Sequence, residues 1–382
     1  MADIMNPVTP DNSDSFDLLL TTFPKNGTRN VGDHLITESA LKLVRHRVPN
    51  YRPVIVFREE PLEQFDKSSV RTILAPGFTV SDETYPNKFK LYENLEGVLE
   101  KIFPVGCSFQ HWIPSYKTYE EYCYSNETLS LLKSLSKNDG AIPCRDELIV
   151  KMLDNWGISS SYIGDLALYD PDVIGKKFTR SKKIESVAFS IQHKPKFFKQ
   201  SMSILSLTKK AFPDAQLYVV HHSTPSKNSI EVAEYAKSIG YIEKDLSGEI
   251  EKLDFYDDVD LHVGYRLHGH ISFLRRRKPS VLIVEDARSF GISKTGPLSL
   301  GAFSAVDDDG TTWSRAVARQ VFDFLRSQSY DGFKDYRDVF KYIDDCYWDL
   351  VRPYFDRFSA KLGWSQSRLG LVKEKFFRRV FL

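Results

Sequence analysis

Short, nearly continuous apolar runs alternate along the chain with stretches whose apolar residues recur three and four positions apart. The first kind reads as strands buried on both faces, the second as helices lying over them. Strands are predicted at Phe16 to Thr22, Val54 to Phe57, Thr72 to Ala75, Ile102 to Cys107, Ala141 to Cys144 and Tyr162-Ile163. Four more follow at Ser186 to Ile191, Gln216 to His221, Val259 to Val263 and Ser280 to Val284. Helical spacing covers Leu35 to Val48, Asn126 to Leu135, Leu148 to Trp156, Phe197 to Ala211, Ser229 to Ile239, and residues 311–328 and 335–358. Strands that alternate with helices predict parallel α/β layers. The polar, basic stretch 170–183 reads as a linker between two such units, 1–175 and 184–305, with residues 1–14 a loose polar tail. Helices over 306–382 are expected to pack back on the first unit.

The chemistry gathers in Val263-Gly-Tyr-Arg-Leu-His-Gly-His-Ile-Ser272. This reads as a strand end, a turn bracketed by Gly264 and Gly269, and a short helix starting at Ile271. Arg275-Arg-Arg-Lys278 then reads as a solvated cationic helix end, stopped by Pro279. In parallel α/β sheets, ligands bind at the carboxyl ends of the strands. Arg266, His268 and His270 are therefore set where chemistry is expected. Each also has a plainer reading: a surface ion pair for Arg266, a helix cap for His268, and core packing, the stronger alternative, for His270. The loop Phe23 to His34 precedes a helix, with Asp33 fitting its N-cap, so the backbone N–H groups there form a ready anion site. It is neither a dinucleotide fingerprint nor a Walker loop. Asp33 as cap and Asp33 as functional carboxylate stay equally open. Arg145-Asp-Glu147 opens a helix and is either a charged first turn or a ligand arm. His221 and His222 end a strand, where neighbours point to opposite faces and do not share a metal.

Composition narrows the classes further. A net charge of +1 gives no basic field for nucleic acid. Cys107, Cys123, Cys144 and Cys346 form no paired motif and read as free thiols of a reducing compartment. The polar, acidic start does not resemble a signal peptide, and no apolar run is long enough to span a bilayer. The expectation is a cytoplasmic protein.

Four separated stretches give the sequence a likeness. They are Asn30-Val-Gly-Asp33, Arg145-Asp-Glu147 with Trp156-Gly-Ile158, Gly164-Asp-Leu-Ala-Leu168, and Tyr265-Arg-Leu-His-Gly-His270 with Lys278-Pro-Ser280. Their order and spacing resemble the polysaccharide pyruvyl transferase family. The resemblance implies two Rossmann-like domains facing across a cleft, as in GT-B glycosyltransferases. It also implies transfer of pyruvate from phosphoenolpyruvate onto sugar hydroxyls as a ketal, in surface polysaccharide synthesis, with no cofactor, metal or nucleotide. Carried over residue by residue, Arg266 and His268 become anion clamp and general acid, Arg145 a second clamp, and Asp33 a functional carboxylate. Asn30 and Gly32 join the donor loop, and His270 lies beside it. The strand Ser186 to Ile191 runs into Gln192-His-Lys194, where the family pattern has a small residue and an arginine, so His193 or Lys194 is expected to substitute. Ser108-Phe-Gln-His-Trp112 is expected to shape the acceptor pocket.

Two other readings remain at this level. A GT-B glycosyltransferase would need acids for a nucleotide ribose, and Glu285 and Asp286 are the candidates. A noncatalytic carbohydrate-binding protein would keep the fold alone. The basic, aromatic end Lys373 to Leu382 reads either as core packing or as a weak contact with the inner membrane surface, near a lipid-linked oligosaccharide acceptor.

Overall fold

A computed structural model describes residues 15–24, 27–179, 183–307 and 310–364. The first unit is a parallel sheet in the order β2-β1-β3-β4, built from β1 (Phe16–Thr21), β2 (Val54–Phe57), β3 (Val70–Pro76) and β4 (Ile102–Val105). Two short strands, β5 (Ile142–Cys144) and β6 (Ser160–Tyr162), pair in parallel and continue this sheet through a bridge between Cys107 and Cys144. Between the strands run α1 (Val31–Arg45), α2 (Tyr116–Glu120), α3 (Asn126–Ser136) and α4 (Glu147–Asn155).

The second unit is a six-stranded parallel sheet in the order β12-β11-β10-β7-β8-β9. Its strands are β7 (Ser186–Ser190), β8 (Gln216–His221), β9 (Ile242–Asp245), β10 (Leu261–Gly264), β11 (Ser280–Val284) and β12 (Ala302–Ser304). Every residue of β7, β10 and β11 is buried, as the unbroken apolar runs require. Its helices are α5 (Phe198–Ala211), α6 (Lys227–Ser238), α7 (Leu267–Arg275) and α8 (Ala287–Ser293). The result is the mixed α/β architecture with parallel sheets that was expected.

Three helices follow: α9 (Val317–Tyr330), α10 (Tyr336–Cys346) and α11 (Arg352–Lys361). α9 lies on α5, and α11 crosses to the first unit. There Phe358 packs on Phe103 with ring centres 5.4 Å apart, and Asp356 pairs with Arg47 at 2.7 Å. The segment Lys373 to Leu382 lies outside the described residues.

One expectation needs correction. The cations Arg275 to Lys278 are not a solvated end. Arg275 bonds Asp170 at 2.7 Å and Ser39 at 3.0 Å, and Arg276 bonds Asp257 at 2.6 Å. Arg277 pairs with Asp344, and Lys278 donates to the carbonyls of Tyr256 and Val259. The start of the presumed linker is tied down as well. Asp170 holds both Lys42, at 2.6 Å, and Arg275, and the Gly175 N–H donates to Asp344.

Candidate functional site

The carboxyl edges of the two sheets meet around α7. β10 ends at Gly264, where a Cβ would come within 2.3 Å of the Ser190 Oγ on the neighbouring strand, so only glycine lets the chain turn there. Arg266 occupies the N-cap position of α7, and its backbone N–H donates to Ser190 Oγ at 3.1 Å. The helix thus begins at Leu267 and not at Ile271, which puts His268 inside the first turn. The hydroxyl of Ser190 supplies the cap partner that no local side chain offers.

The Arg266 side chain is fixed at two points. Its Nε donates to the Ile191 carbonyl at 2.9 Å, and Nη1 lies 2.6 Å from His193 Nδ1. Burial, then the guanidinium itself, keeps the His193 imidazole far below its ordinary pKa, so it is a neutral acceptor for Arg266. Burial also lowers Arg266 to about 10, which leaves it charged near neutrality. The backbone N–H of His193 donates to both Glu285 oxygens, at 3.0 and 3.1 Å. His193 therefore orients an arginine. Lys194 lies on the rim, where its Nζ donates to the Trp112 carbonyl at 2.7 Å and sits 5.0 Å over that ring.

His270 takes the core-packing place, and not the substrate contact that the family resemblance implied. It is fully enclosed, with Nδ1 2.8 Å from Ser280 Oγ, and burial brings its pKa to about 3. Ser280 Oγ also meets His262, whose other nitrogen meets Ser190 Oγ, each at 2.8 Å. This chain of buried polar groups locks α7 onto β7 and β11, out of a ligand's reach. His221 and His222 take separate partners, Glu243 and the Tyr256 hydroxyl.

The first unit supplies the facing wall. The N-cap of α1 is Asn30, whose Oδ1 accepts from the Gly32 N–H at 3.2 Å. Asp33 is not the cap, because the helix starts one turn earlier than its apolar spacing suggested. Its carboxylate accepts from Asn30 Nδ2 at 3.0 Å and acts through space on Arg58, Arg266 and Arg288. Gly32 sits against His268, and a Cβ there would lie 2.4 Å from the imidazole Nδ1. Gly32→Ala is therefore expected to displace the ring, removing most activity and lowering the melting temperature by a few degrees, as overpacking of about 1–3 kcal/mol does. Scanning calorimetry and turnover measured together check this.

Arg145 follows β5, next to Asp146, which caps α4. Its Nη1 lies 3.5 Å from Asp165 Oδ2, and the same oxygen lies 3.5 Å from His268 Nε2. The other Asp165 oxygen caps the short turn Leu166–Leu168 by accepting from the Ala167 N–H at 3.0 Å. Burial alone would raise this carboxyl, but His268, Arg145 and the Ala167 N–H together hold it below its ordinary value. Arg145 Nε and Nη2 are buried without a hydrogen-bond partner. Such a group is costly, and its presence at a sheet edge marks it for a ligand.

The structure thus brings Arg145, Asp33, Arg266 and His268 to one place, with Asn30 and Gly32 shaping it. Sequence reasoning did not assign Asp165, Arg58 or Arg288. Asp165 lies within the Gly164-Asp-Leu-Ala-Leu168 stretch, immediately after a predicted strand, which is the signal that could have found it. Arg58 follows β2 and Arg288 lies in the first turn of α8, so both project from carboxyl edges. Arg145, Arg266 and His268 are 3, 8 and 7% exposed, so a ligand reaches them only if the two units move apart.

Glu285 carries a pH dependence. Burial, then Asp286, pushes its carboxyl from 4.5 up to about 7. A carboxyl raised on folding binds more protons in the native state, so it costs stability as pH rises from about 4.5 to about 7. Glu285→Gln should be more stable than the wild-type chain above pH 7 and lose that advantage below pH 5, a difference on the order of 3 kcal/mol. Urea titrations of both proteins across this range check the sign.

The profile of the family described as polysaccharide pyruvyl transferase matches residues 30–286. The chain belongs to this family. No curated protein matches the chain. Solved structures resemble it more distantly. The S. aureus MnaA–UDP co-structure is 10% identical with a TM-score of 0.45, over 85% of this chain and 90% of that one. The E. coli heptosyltransferase WaaC with ADP-2-deoxy-2-fluoro heptose is 12% identical with a TM-score of 0.37, over 82% and 100%. S. aureus TarM is 8% identical with a TM-score of 0.42, over 75% and 53%, so this chain spans about half its length. The chain likewise covers 53% of an accessory secretory protein chain from Streptococcus pneumoniae.

Proposed function

We propose that the protein transfers pyruvate from phosphoenolpyruvate to two hydroxyls of a sugar, forming a ketal and releasing phosphate. The observation that carries this reading is the Arg145–Asp165–His268 contact beside Arg266, which sets guanidinium groups from both units around one imidazole. Phosphoenolpyruvate has a carboxylate and a phosphate, and guanidinium forks match both. Arg145 and Arg266 hold the donor, and Arg58 and Arg288 add positive charge from the carboxyl edges. His268 gives a proton to the terminal methylene carbon, which becomes the methyl group. The electron-poor adjacent carbon accepts the first sugar hydroxyl, with Asp33 placed to take its proton. The bond from that carbon to the phosphate oxygen then breaks, the phosphate leaving with the proton Asp33 took, and the second hydroxyl closes the ketal as its proton returns to His268. The sum balances without oxidant, metal or nucleotide.

The rim offers a place for the acceptor. Trp112 is 65% exposed and is held beside Lys194, next to the residue that orients Arg266. The acceptor is a sugar of a surface polysaccharide or of its lipid-linked repeat unit, and a cytoplasmic site at the inner membrane face suits it. No helix among the described residues is long and apolar enough to cross a membrane.

The glycosyltransferase alternative loses its ribose candidates. Glu285 accepts from His193, and Asp286 both caps α8 and pairs with Arg288 at 2.6 Å. Thermal-shift measurements with phosphoenolpyruvate, a nucleoside diphosphate and simple sugars test the reading. Stabilisation by phosphoenolpyruvate is expected. Stabilisation by the nucleotide alone would sink it.

A further inference from the structure

We propose that Asp165 is the positioning residue of His268, holding its Nε2 so that Nδ1 is the atom that gives the proton. The assignment of a proton-donating role rests on the pyruvyl transfer proposed above, whereas the state of the imidazole can be measured without any donor. The Asp165 carboxylate is almost completely buried and is itself held on one oxygen by the Ala167 N–H. Its other oxygen lies 3.5 Å from both Arg145 Nη1 and His268 Nε2, an ion-pair distance for an Nε2 that has no hydrogen-bond partner, across the junction of the two units. Nδ1 points the other way and packs against Gly32 at the start of α1, so a donor reaches it when the two units part.

The groups around the imidazole all bear on its charge. Asp165 comes from the turn after β6, Arg145 from the turn after β5, and Asp33 from α1. Arg266 stands at the start of α7, and His222 follows β8. His222 is held neutral by burial first, and then by Arg266 and His268 itself. Asp165 lies in ion-pair range of Nε2, and that contact fixes which nitrogen keeps its hydrogen when the other gives one up. It plays this part without touching the donor. The pairing spans the two units, so the acid is fully assembled only when they are closed on one another.

The experiment is nitrogen-detected NMR of the His268 imidazole in the full chain, identified by its loss in His268→Gln. In the wild-type protein the neutral ring is expected to carry its hydrogen on Nε2. In Asp165→Asn, which can still cap the turn through its amide oxygen, the ring's titration should move to lower pH by about one to three units. The alkaline limb of kcat should move with it to lower pH, with kcat falling far more than KM changes. Asp165→Glu should restore most of the shift. A hydrogen on Nδ1 in the wild-type protein would overturn the inference even if the Asn variant failed to fold. So would an unchanged titration in Asp165→Asn. A normal titration shift in an enzyme that does not use phosphoenolpyruvate would instead keep the pairing and sink the reaction.

Discussion

His268→Gln is expected to lose about a hundred- to ten-thousand-fold in turnover, the range that a positioned general acid contributes. The variant should still bind phosphoenolpyruvate with little change, because the donor's charges are held by arginines. The ring is well suited to the task. It sits in the first turn of α7, is 7% exposed, and lies between a carboxylate of the first unit and the glycine that starts α1. Glutamine keeps the volume and polarity of the site, so stability should change little. Pre-steady-state mixing with the donor separates binding from chemistry. A variant with more than half of wild-type turnover would remove His268 from the mechanism.

The second large effect is expected at the arginines. Arg145→Lys and Arg266→Lys keep the charge and lose the fork. In Arg145 the lost donors are Nε and Nη2, the two groups that no protein atom satisfies. In Arg266 the change also breaks the bonds to Ile191 and His193 that aim the guanidinium. A charged hydrogen bond is worth about 1.5–3 kcal/mol, so each variant should bind phosphoenolpyruvate roughly ten- to a hundred-fold more weakly. Calorimetric titration measures this directly. Unchanged affinity in both variants would mean that the donor is held elsewhere.

Much of the fold was legible in the sequence because parallel strands are buried on both faces. Ser280–Val284 and Gln216–His221 stand out as apolar runs and appear within a residue of where they were expected. The edge strand Ile242–Asp245 was missed because one apolar residue among polar ones leaves no period to read. α8 was missed because seven residues after a strand give too few turns to show a spacing. The Arg266–His268 turn was readable from its glycines and its place after a strand. Its helix was placed late, because the group that caps it, Ser190 Oγ, lies far back in the chain. The same distance hid Asp165, whose meaning depends on Arg145 and His268 arriving from other elements. His270 took the stronger of its two readings, because two residues from His268 along a helix points a side chain to a different side, here into the core.

The most direct measurement is the product itself. The full chain is incubated with phosphoenolpyruvate and a panel of sugars and lipid-linked oligosaccharides. Phosphate release is followed, and the acceptor is analysed by mass spectrometry and NMR. The account predicts phosphate released in step with an acceptor that gains one pyruvate less one water and shows the methyl signal of a ketal, and no product with His268→Gln. Phosphoenolpyruvate left intact while a nucleotide sugar is consumed on the same acceptors would contradict it.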